Sequence, residues 1–118
     1  MKTAVSSTGE HLTSTMDPRF GRAPYFVLIE EDDEGKRRHY AVENPAASAA
    51  TGAGTEAAQR VIREKVDAVI SGAVGPNAFE VFEKLGIDVF LAQGDLTVEE
   101  AYEKFKEGAL RKMSIKRL

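Results

Sequence analysis

The chain has 118 residues, of which 42% are hydrophobic and 30% charged, and it contains no cysteine. This composition predicts one globular domain, and it excludes disulfides, thiolate catalysis and any cluster held by cysteines of this chain. The formal net charge of −3 argues against a nucleic-acid partner. No apolar run is long enough to span a membrane and the first residues do not resemble a secretory signal. We therefore expect no membrane partner and a cytoplasmic location.

Strands and loops are predicted for the first part of the chain. Lys2–Ser6 is a short strand, and a polar loop follows it. Tyr25–Glu30 and Lys36–Glu43 form a hairpin, with Tyr40 and Val42 on one face of the third strand. The acidic tip between these strands is interpreted as a solvated turn. A calcium site there is a minor alternative, because the spacing of an EF-hand is absent.

Helices and strands alternate in the second part. A helical pattern begins at Thr55 and carries apolar residues on one face as far as Val66. The buried strand Asp67–Ser71 follows, then a second helix that Gly86 ends. The last predicted strand is Ile87–Ala92.

The third helix has a defined beginning. Thr97 and Glu100 have the spacing of a capping box, in which the side chain of each residue bonds the backbone N–H of the other. Gly108 is predicted to end this helix. We assign residues 1–110 to the domain and 111–118 to a basic, flexible and solvated tail. The pattern predicts an α/β fold with helices covering a mixed sheet.

The stretch Asp17–Phe26, which we call the arginine loop, is dense in prolines, arginines and aromatic residues. Its prolines fix their own φ angles and restrict the residues before them, so the loop should be stiff. Arg19 and Arg22 offer planar donor groups suited to a multi-oxygen or multi-sulfur anion, and Phe20 is a candidate anchor in the core. The alternative is that the arginines pair with Asp17 or a helix end and that Phe20 is ordinary core.

Three segments are expected to meet beyond the carboxyl ends of the strands: Arg19–Arg22, Gly52–Thr55 and Gly72–Asn77. Two of them start helices, where free amides and a positive dipole end favour anions, and their glycines allow close backbone approach. Together with the arginines they predict an anion site. The alternative interpretation is that the glycines only make tight turns.

Several motifs occur together in one order along nearly the whole chain. They are Asp-Pro-Arg-Phe-Gly-Arg-Ala-Pro-Tyr-Phe at 17–26, Glu-Asn-Pro at 43–45, Ser-Gly-Ala-Val-Gly-Pro-Asn-Ala-Phe at 71–79, Leu-Gly-Ile at 85–87 and Thr-Val-Glu-Glu-Ala at 97–101. In this respect the chain resembles the dinitrogenase iron-molybdenum cofactor biosynthesis family. The resemblance implies a ribonuclease H-like motif with a five-stranded mixed sheet and three helices. It also implies binding or carrying of a metal–sulfur cluster, bound transiently, of the iron–molybdenum, molybdenum–copper sulfide or iron–sulfur type. Cluster-assembly or acceptor proteins are the expected partners.

On this basis the expected cluster-binding residues are Arg19, Phe20, Gly21, Arg22, Gly52, Gly54, Thr55, Gly72, Gly75 and Asn77. Some relatives carry histidine in the loops corresponding to 17–26 and 46–54, where this chain has Arg19 and only small residues. The remaining candidate metal ligands are His11 and the soft thioether of Met16. His39, beside the acidic hairpin, is a weaker candidate.

Two other functions remain open. The first is an enzyme, either a nuclease or a phosphoryl-transfer enzyme. A two-metal nuclease needs converging carboxylates, whereas Asp17, Asp67 and Asp95 are scattered. A phosphoryl-transfer enzyme of the Walker type needs a lysine after a glycine loop, and the sequence has none there. We therefore expect a protein without catalytic activity. A regulatory or scaffold module that binds a small phosphate ligand or a protein partner through the same anion pocket is the second possibility, because this chemistry does not distinguish a cluster from a phosphate.

Overall fold

The computed structural model describes residues 1–114 and consists of a sheet covered by helices on both faces. Strands β1, β2 and β3 comprise Lys2–Ser7, Tyr25–Glu31 and Arg37–Glu43. Helix α1, Ala53–Ile62, precedes β4, Ala68–Ser71. The remaining elements are α2 (Pro76–Lys84), β5 (Asp88–Leu91), α3 (Val98–Lys106) and β6 (Arg111–Lys112).

The sheet has six strands in the order β3-β2-β1-β4-β5-β6. Strands β1, β4 and β5 are parallel to one another, while β2, β3 and β6 run antiparallel to their neighbours. The chain leaves β1 toward β2 on one side and returns on the other side as β4, so the strand order reverses between β1 and β4. Such a point is where ligands bind in open α/β sheets.

Alternating side chains divide the core into two clusters. Ala4, Phe26, Leu28 and Val69 lie in the cluster that packs under α1 and α2. The cluster under α3 takes the other face, with Val5, Val27, Ile29 and Ile70 from the same strands. Tyr40 and Val42 pair with Leu28 and Phe26, which confirms that both lie on the first of these faces.

The prediction of five strands is wrong, because Arg111 and Lys112 form a sixth strand against β5. These two residues were assigned to the flexible tail. Residues 115–118 of that predicted tail lie outside the described part of the chain. None of the helices formed by residues 1–114 is long and apolar enough to cross a membrane.

The bounds of α1 also differ from the prediction. The helix begins at Ala53, two positions before Thr55. Gly52 is its N-cap residue and has a left-handed φ of 72°, which glycine adopts readily. It ends at Ile62, so Val66 lies beyond it, although Val66 is still buried in the first core cluster. Lys65, with φ of 58°, turns the chain between the helix and β4.

Candidate anion site at the carboxyl edge of the sheet

A pair of buried serines fixes the start of the arginine loop where the strand order reverses. Ser6 on β1 and Ser71 on β4 are joined by a hydrogen bond of 2.7 Å between their hydroxyl oxygens. The Ser6 hydroxyl also lies 2.6 Å from the carbonyl oxygen of Asp17, and the Asp17 amide donates to the Ser6 carbonyl at 2.9 Å. Because all these groups are buried and paired, the loop has a fixed starting point.

Phe20 anchors the middle of the loop. Its side chain is 1% exposed and packs against Phe26 and Phe82, with ring centroids 5.1 and 5.5 Å away. The Phe20 amide donates to the carbonyl of Ala73, in the connection between β4 and α2, at 3.1 Å. Phe20 therefore has the core position that the sequence suggested, and its ring is not available to a surface ligand.

Two glycines allow the loop to touch its neighbours. A Cβ on Gly21 would lie 3.0 Å from the amide nitrogen of Gly54 in the first turn of α1. A Cβ on Gly72 would lie 2.8 Å from the Cα of Pro18. The three predicted segments are thus brought together. The close approach at Gly21 and Gly72 is to the backbone of the chain itself, so packing alone explains these two glycines.

The other predicted glycines lie in more open positions. Nothing lies within 4 Å of a Cβ built on Gly52 or on Gly75. Gly52 is required by its left-handed backbone, whereas Gly75 has φ of −67° and precedes Pro76 as an ordinary N-cap residue. At Gly52 the structure therefore supports the tight-turn interpretation.

Both arginines have partners within the protein. The Arg19 side chain forms an ion pair with the Asp17 carboxylate, with 3.4 Å between Nε and Oδ1, and the Arg19 amide donates to the same oxygen at 2.9 Å. Even so, the Arg19 side chain is 67% exposed while that of Asp17 is 4% exposed. Arg22 donates through Nη1 to the carbonyl oxygen of Ala49. Pairing with Asp17, the alternative left open by the sequence, is therefore present, and Arg19 keeps donors directed to solvent.

The starts of α1 and α2 carry no side-chain cap. An α-helix leaves its first amides without intrahelical partners, and these carry the positive end of the helix dipole. Thr55 in the first turn of α1 and Asn77 in the first turn of α2 are both exposed. In contrast, α3 has the predicted capping box, with Glu100 N donating to the Thr97 hydroxyl at 3.1 Å and Thr97 N to the Glu100 carboxylate at 2.9 Å.

Asn44 is a site-organising residue that the sequence analysis missed. Its side-chain amide donates to the carbonyls of Gly21 at 3.2 Å and Ala23 at 2.8 Å, and its side-chain oxygen accepts from the Ala46 amide at 3.0 Å. The residue therefore ties the arginine loop to the end of β3. The available signal was an asparagine that ends a strand before proline, where its side chain commonly bonds nearby backbone.

The candidate metal ligands do not converge. His11 is exposed in the loop after β1, where its amide donates to the Ser14 hydroxyl at 3.1 Å. Met16 is 2% exposed and belongs to the core cluster under α3, on the opposite face of the sheet from Phe20. This is the packing role usual for methionine. His39 is exposed on β3, paired with Ile29 of β2. Within residues 1–114, no group of three or more His, Asp or Glu residues could hold a metal ion.

The fold and this edge define a small α/β domain with a mixed sheet, and with an exposed arginine and uncapped helix amides at the carboxyl ends of its parallel strands. The chain belongs to the dinitrogenase iron-molybdenum cofactor family, whose model matches residues 1–108. An uncharacterised protein of Methanocaldococcus jannaschii is 34% identical over 97 residues, which cover 82% of this chain and 81% of that protein.

Two solved structures are similar over nearly their full lengths. The apo form of the orange protein from Desulfovibrio gigas is 32% identical with a TM-score of 0.84, over 96% of this chain and 92% of that one. A candidate NifB protein from Thermotoga is 34% identical with a TM-score of 0.79, over 98% of this chain and 97% of that one. Both share the fold of this chain over nearly its whole length.

Proposed function

We propose that this protein binds an anionic metal–sulfur cluster as cargo, without transforming it, at the carboxyl edge of the sheet. The observation that carries the proposal is the packing of the arginine loop against the starts of α1 and α2, which gathers positive groups at one edge. Gly21 lies against Gly54, and Phe20 bonds Ala73. The exposed part of Arg19 and the uncapped amides of both helices thus lie at the same edge of the sheet, where each favours an anion.

The hydrogen-bond donors at this edge, a guanidinium group and backbone amides, suit a cluster that is held through its sulfides. Sulfides of a metal–sulfur cluster accept hydrogen bonds from guanidinium groups and from backbone amides. The chain has no cysteine thiolate, and residues 1–114 form no histidine and carboxylate group suited to a metal ion. Binding should therefore depend on charge and shape and be weaker than ligation by thiolates. A weakly held cargo suits a carrier that delivers it to an acceptor or assembly protein.

The family and the relatives support this cargo rather than another anion. The family bears the name of the iron-molybdenum cofactor of dinitrogenase, and the Thermotoga relative is described as a candidate NifB protein. We propose an iron–molybdenum or molybdenum–copper sulfide cluster accordingly. The position of Asp67 supports binding without catalysis, because this residue directly precedes β4 at the opposite edge of the sheet, where its carboxylate accepts from the Lys2 amide at 2.8 Å.

The experiment is an amide NMR titration of the protein with tetrathiomolybdate and copper(I), beside a titration with inorganic phosphate. We expect saturable shifts in Arg19–Arg22, Gly52–Thr55 and Gly72–Asn77 with the cluster alone. Arg19→Ala should weaken binding by roughly tenfold or more, the loss typical of a hydrogen bond to a charged group. Arg63→Ala, which removes an exposed arginine just after α1, is the matched control and should have no effect.

The outcomes separate the two candidate functions. Equal shifts with phosphate would replace the carrier hypothesis with a phosphate-binding module, which the same uncapped helix starts would serve. No shift with either anion would contradict both and direct the search to a protein partner. An equal loss of binding in Arg19→Ala and Arg63→Ala would mean that net charge, rather than the arginine loop, attracts the cluster.

A further inference from the structure

Strand β3 forms a long free edge of the sheet. It pairs with β2 along its whole length, from Tyr25 opposite Glu43 to Glu31 opposite Arg37, and no other strand of residues 1–114 lies on its outer side. The opposite edge, β6, is only two residues long. A seven-residue edge presents a row of unpaired backbone donors and acceptors to which another strand can add.

The hydrogen bonds at the two ends of the β2–β3 hairpin show which groups point outward. The Asn44 amide donates to the Pro24 carbonyl at 2.9 Å, and the Asp32 amide donates to the Lys36 carbonyl at 3.0 Å. In an antiparallel ladder successive residues alternate between inward and outward backbone groups. The backbone N–H and C=O groups of the even-numbered residues of β3 therefore point toward β2. The outward groups belong to Arg37, His39, Ala41 and Glu43.

We propose that β3 pairs antiparallel with β3 of a second copy of this chain, about a two-fold axis at Tyr40, to give a dimer with one continuous sheet. In this register Arg37 lies opposite Glu43 of the second copy and His39 lies opposite Ala41. All four outward-facing residues then stand in hydrogen-bonded pairs. Tyr40 meets its own equivalent in a non-hydrogen-bonded pair, where side chains are closest.

Charges favour this register. The Arg37–Glu43 pair occurs twice by symmetry, and Arg38 stands opposite Val42, so no like charges face each other. Glu43 makes no ion pair within residues 1–114, whereas Arg37 already contacts Glu31 and Glu103. The second copy would therefore supply the missing partner for Glu43. Tyr40, which is 39% exposed, would become covered.

The residues just beyond the two ends of β3 limit the new ladder to this strand. The next outward position is Pro45, which has no N–H to donate. At the other end Gly35 turns the chain with φ of 84°. A ladder of this length buries less than the roughly 1,600 Å² of a standard interface, so the dimer should be weak and dependent on concentration.

The first test is sedimentation over a roughly hundredfold range of concentration, with three variants. Ala41→Pro removes an outward N–H that β2 does not use, a substitution that an edge strand tolerates, and should weaken dimerisation by about tenfold or more. Glu43→Lys places a lysine opposite Arg37 and should do the same. Glu10→Lys makes the same change in net charge in an exposed loop and should dimerise like the wild type.

Amide hydrogen exchange gives a second test that does not depend on the variants folding. Protection of the Arg37, His39, Ala41 and Glu43 amides should rise with concentration, while the Tyr40 and Val42 amides, already bonded to β2, should not change. A wild type that stays monomeric throughout would overturn the proposal. So would a dimer in which these alternate amides gain no protection, since another surface would then form it.

Discussion

Gly72 and Pro18 are in backbone contact, so close that a Cβ on Gly72 would lie 2.8 Å from both the Cα and the Cβ of Pro18. Gly72 is the first residue after β4, and Pro18 follows Asp17, whose carbonyl is bonded to the Ser6 hydroxyl. The hydroxyl of Ser6 bonds both the Asp17 carbonyl, next to Pro18, and the hydroxyl of Ser71, next to Gly72. Because these bonds hold the two segments in place, neither can move far to make room. The arginine loop thus depends on the absence of a side chain at position 72.

Gly72→Ala should therefore destabilise the protein. A contact of 2.8 Å with backbone atoms forces a shift, and overpacking of this kind typically costs about 1–3 kcal/mol in the free energy of unfolding. The matched control is Gly75→Ala in the same connection, where nothing lies within 4 Å and φ is −67°, so we expect a change of less than about 0.5 kcal/mol. Urea unfolding measures both. Equal stability of the two variants would contradict the contact.

Asn44→Ala should loosen the arginine loop. The change leaves the buried carbonyl of Ala23 without its donor at 2.8 Å and removes the bond to Gly21. Loss of a buried partner typically costs about 1–3 kcal/mol of stability. We also expect faster hydrogen exchange at Phe20–Arg22, measured by NMR. Asn44→Asp is the informative comparison, because it keeps the acceptor for the Ala46 amide but loses both donors and should be similarly destabilised.

The regular elements were largely predictable because each carries a local signal. β4 was predicted as Asp67–Ser71 and spans Ala68–Ser71, since a continuous apolar run marks a strand buried on both faces. The capping box of Thr97 and Glu100 is a contact between residues three positions apart, and its prediction is confirmed. β6 was missed because two basic residues have no periodicity. Their strand exists only through pairing with Phe90 and Leu91.

The site was predictable in outline and not in its contacts. Parallel strands bring their carboxyl ends to one edge, which is why the three glycine-containing segments could be expected together. Asp17 as a partner of Arg19 was one of the alternatives, whereas the partner of Arg22 could not be predicted. Ala49, which accepts from Arg22, lies in a loop of small residues without a distinguishing pattern, and Asn44 joins segments 21 positions apart in the chain. The Arg22–Ala49 contact follows from tertiary packing and leaves no local signal, whereas the position of Asn44 before proline indicates a backbone contact without showing which carbonyls it reaches.

Thr3→Val should stabilise the protein. The Thr3 hydroxyl is buried and is the one side-chain polar atom found buried without a hydrogen-bond partner within residues 1–114. Replacing it with a methyl group of similar size removes the cost of burying an unpaired hydroxyl, so we expect a gain of about 1 kcal/mol in the free energy of unfolding. Ser6→Ala, three positions later in β1, should instead destabilise, since that hydroxyl bonds Asp17 and Ser71. Thermal unfolding compares the two, and a loss of stability in Thr3→Val would refute the prediction.

Glu31 at the end of β2 joins α3 to the sheet and should make stability depend on pH. Its carboxylate lies 2.9 Å from Lys106 Nζ and 2.7 Å from Arg37 Nε, and it accepts from the Tyr102 hydroxyl at 3.0 Å. The bonds to Lys106, Arg37 and Tyr102, in that order, lower the pKa of Glu31 from 4.5 to about 2. The folded state therefore binds the proton less readily than the unfolded chain.

A lowered pKa stabilises the fold at any pH above the unfolded value of 4.5, and this contribution is lost as the pH falls toward 2. Glu31→Gln removes the titrating group, so the variant should be less stable than the wild type at pH 7. The difference between the two proteins should narrow from about pH 4.5 downward and be small near pH 2. Urea unfolding at several pH values measures it, with Glu10→Gln as a control at an exposed loop position. A difference that stays constant from pH 7 to pH 2 would show that Glu31 acts through packing alone, since only an ionised carboxylate gains from Lys106 and Arg37.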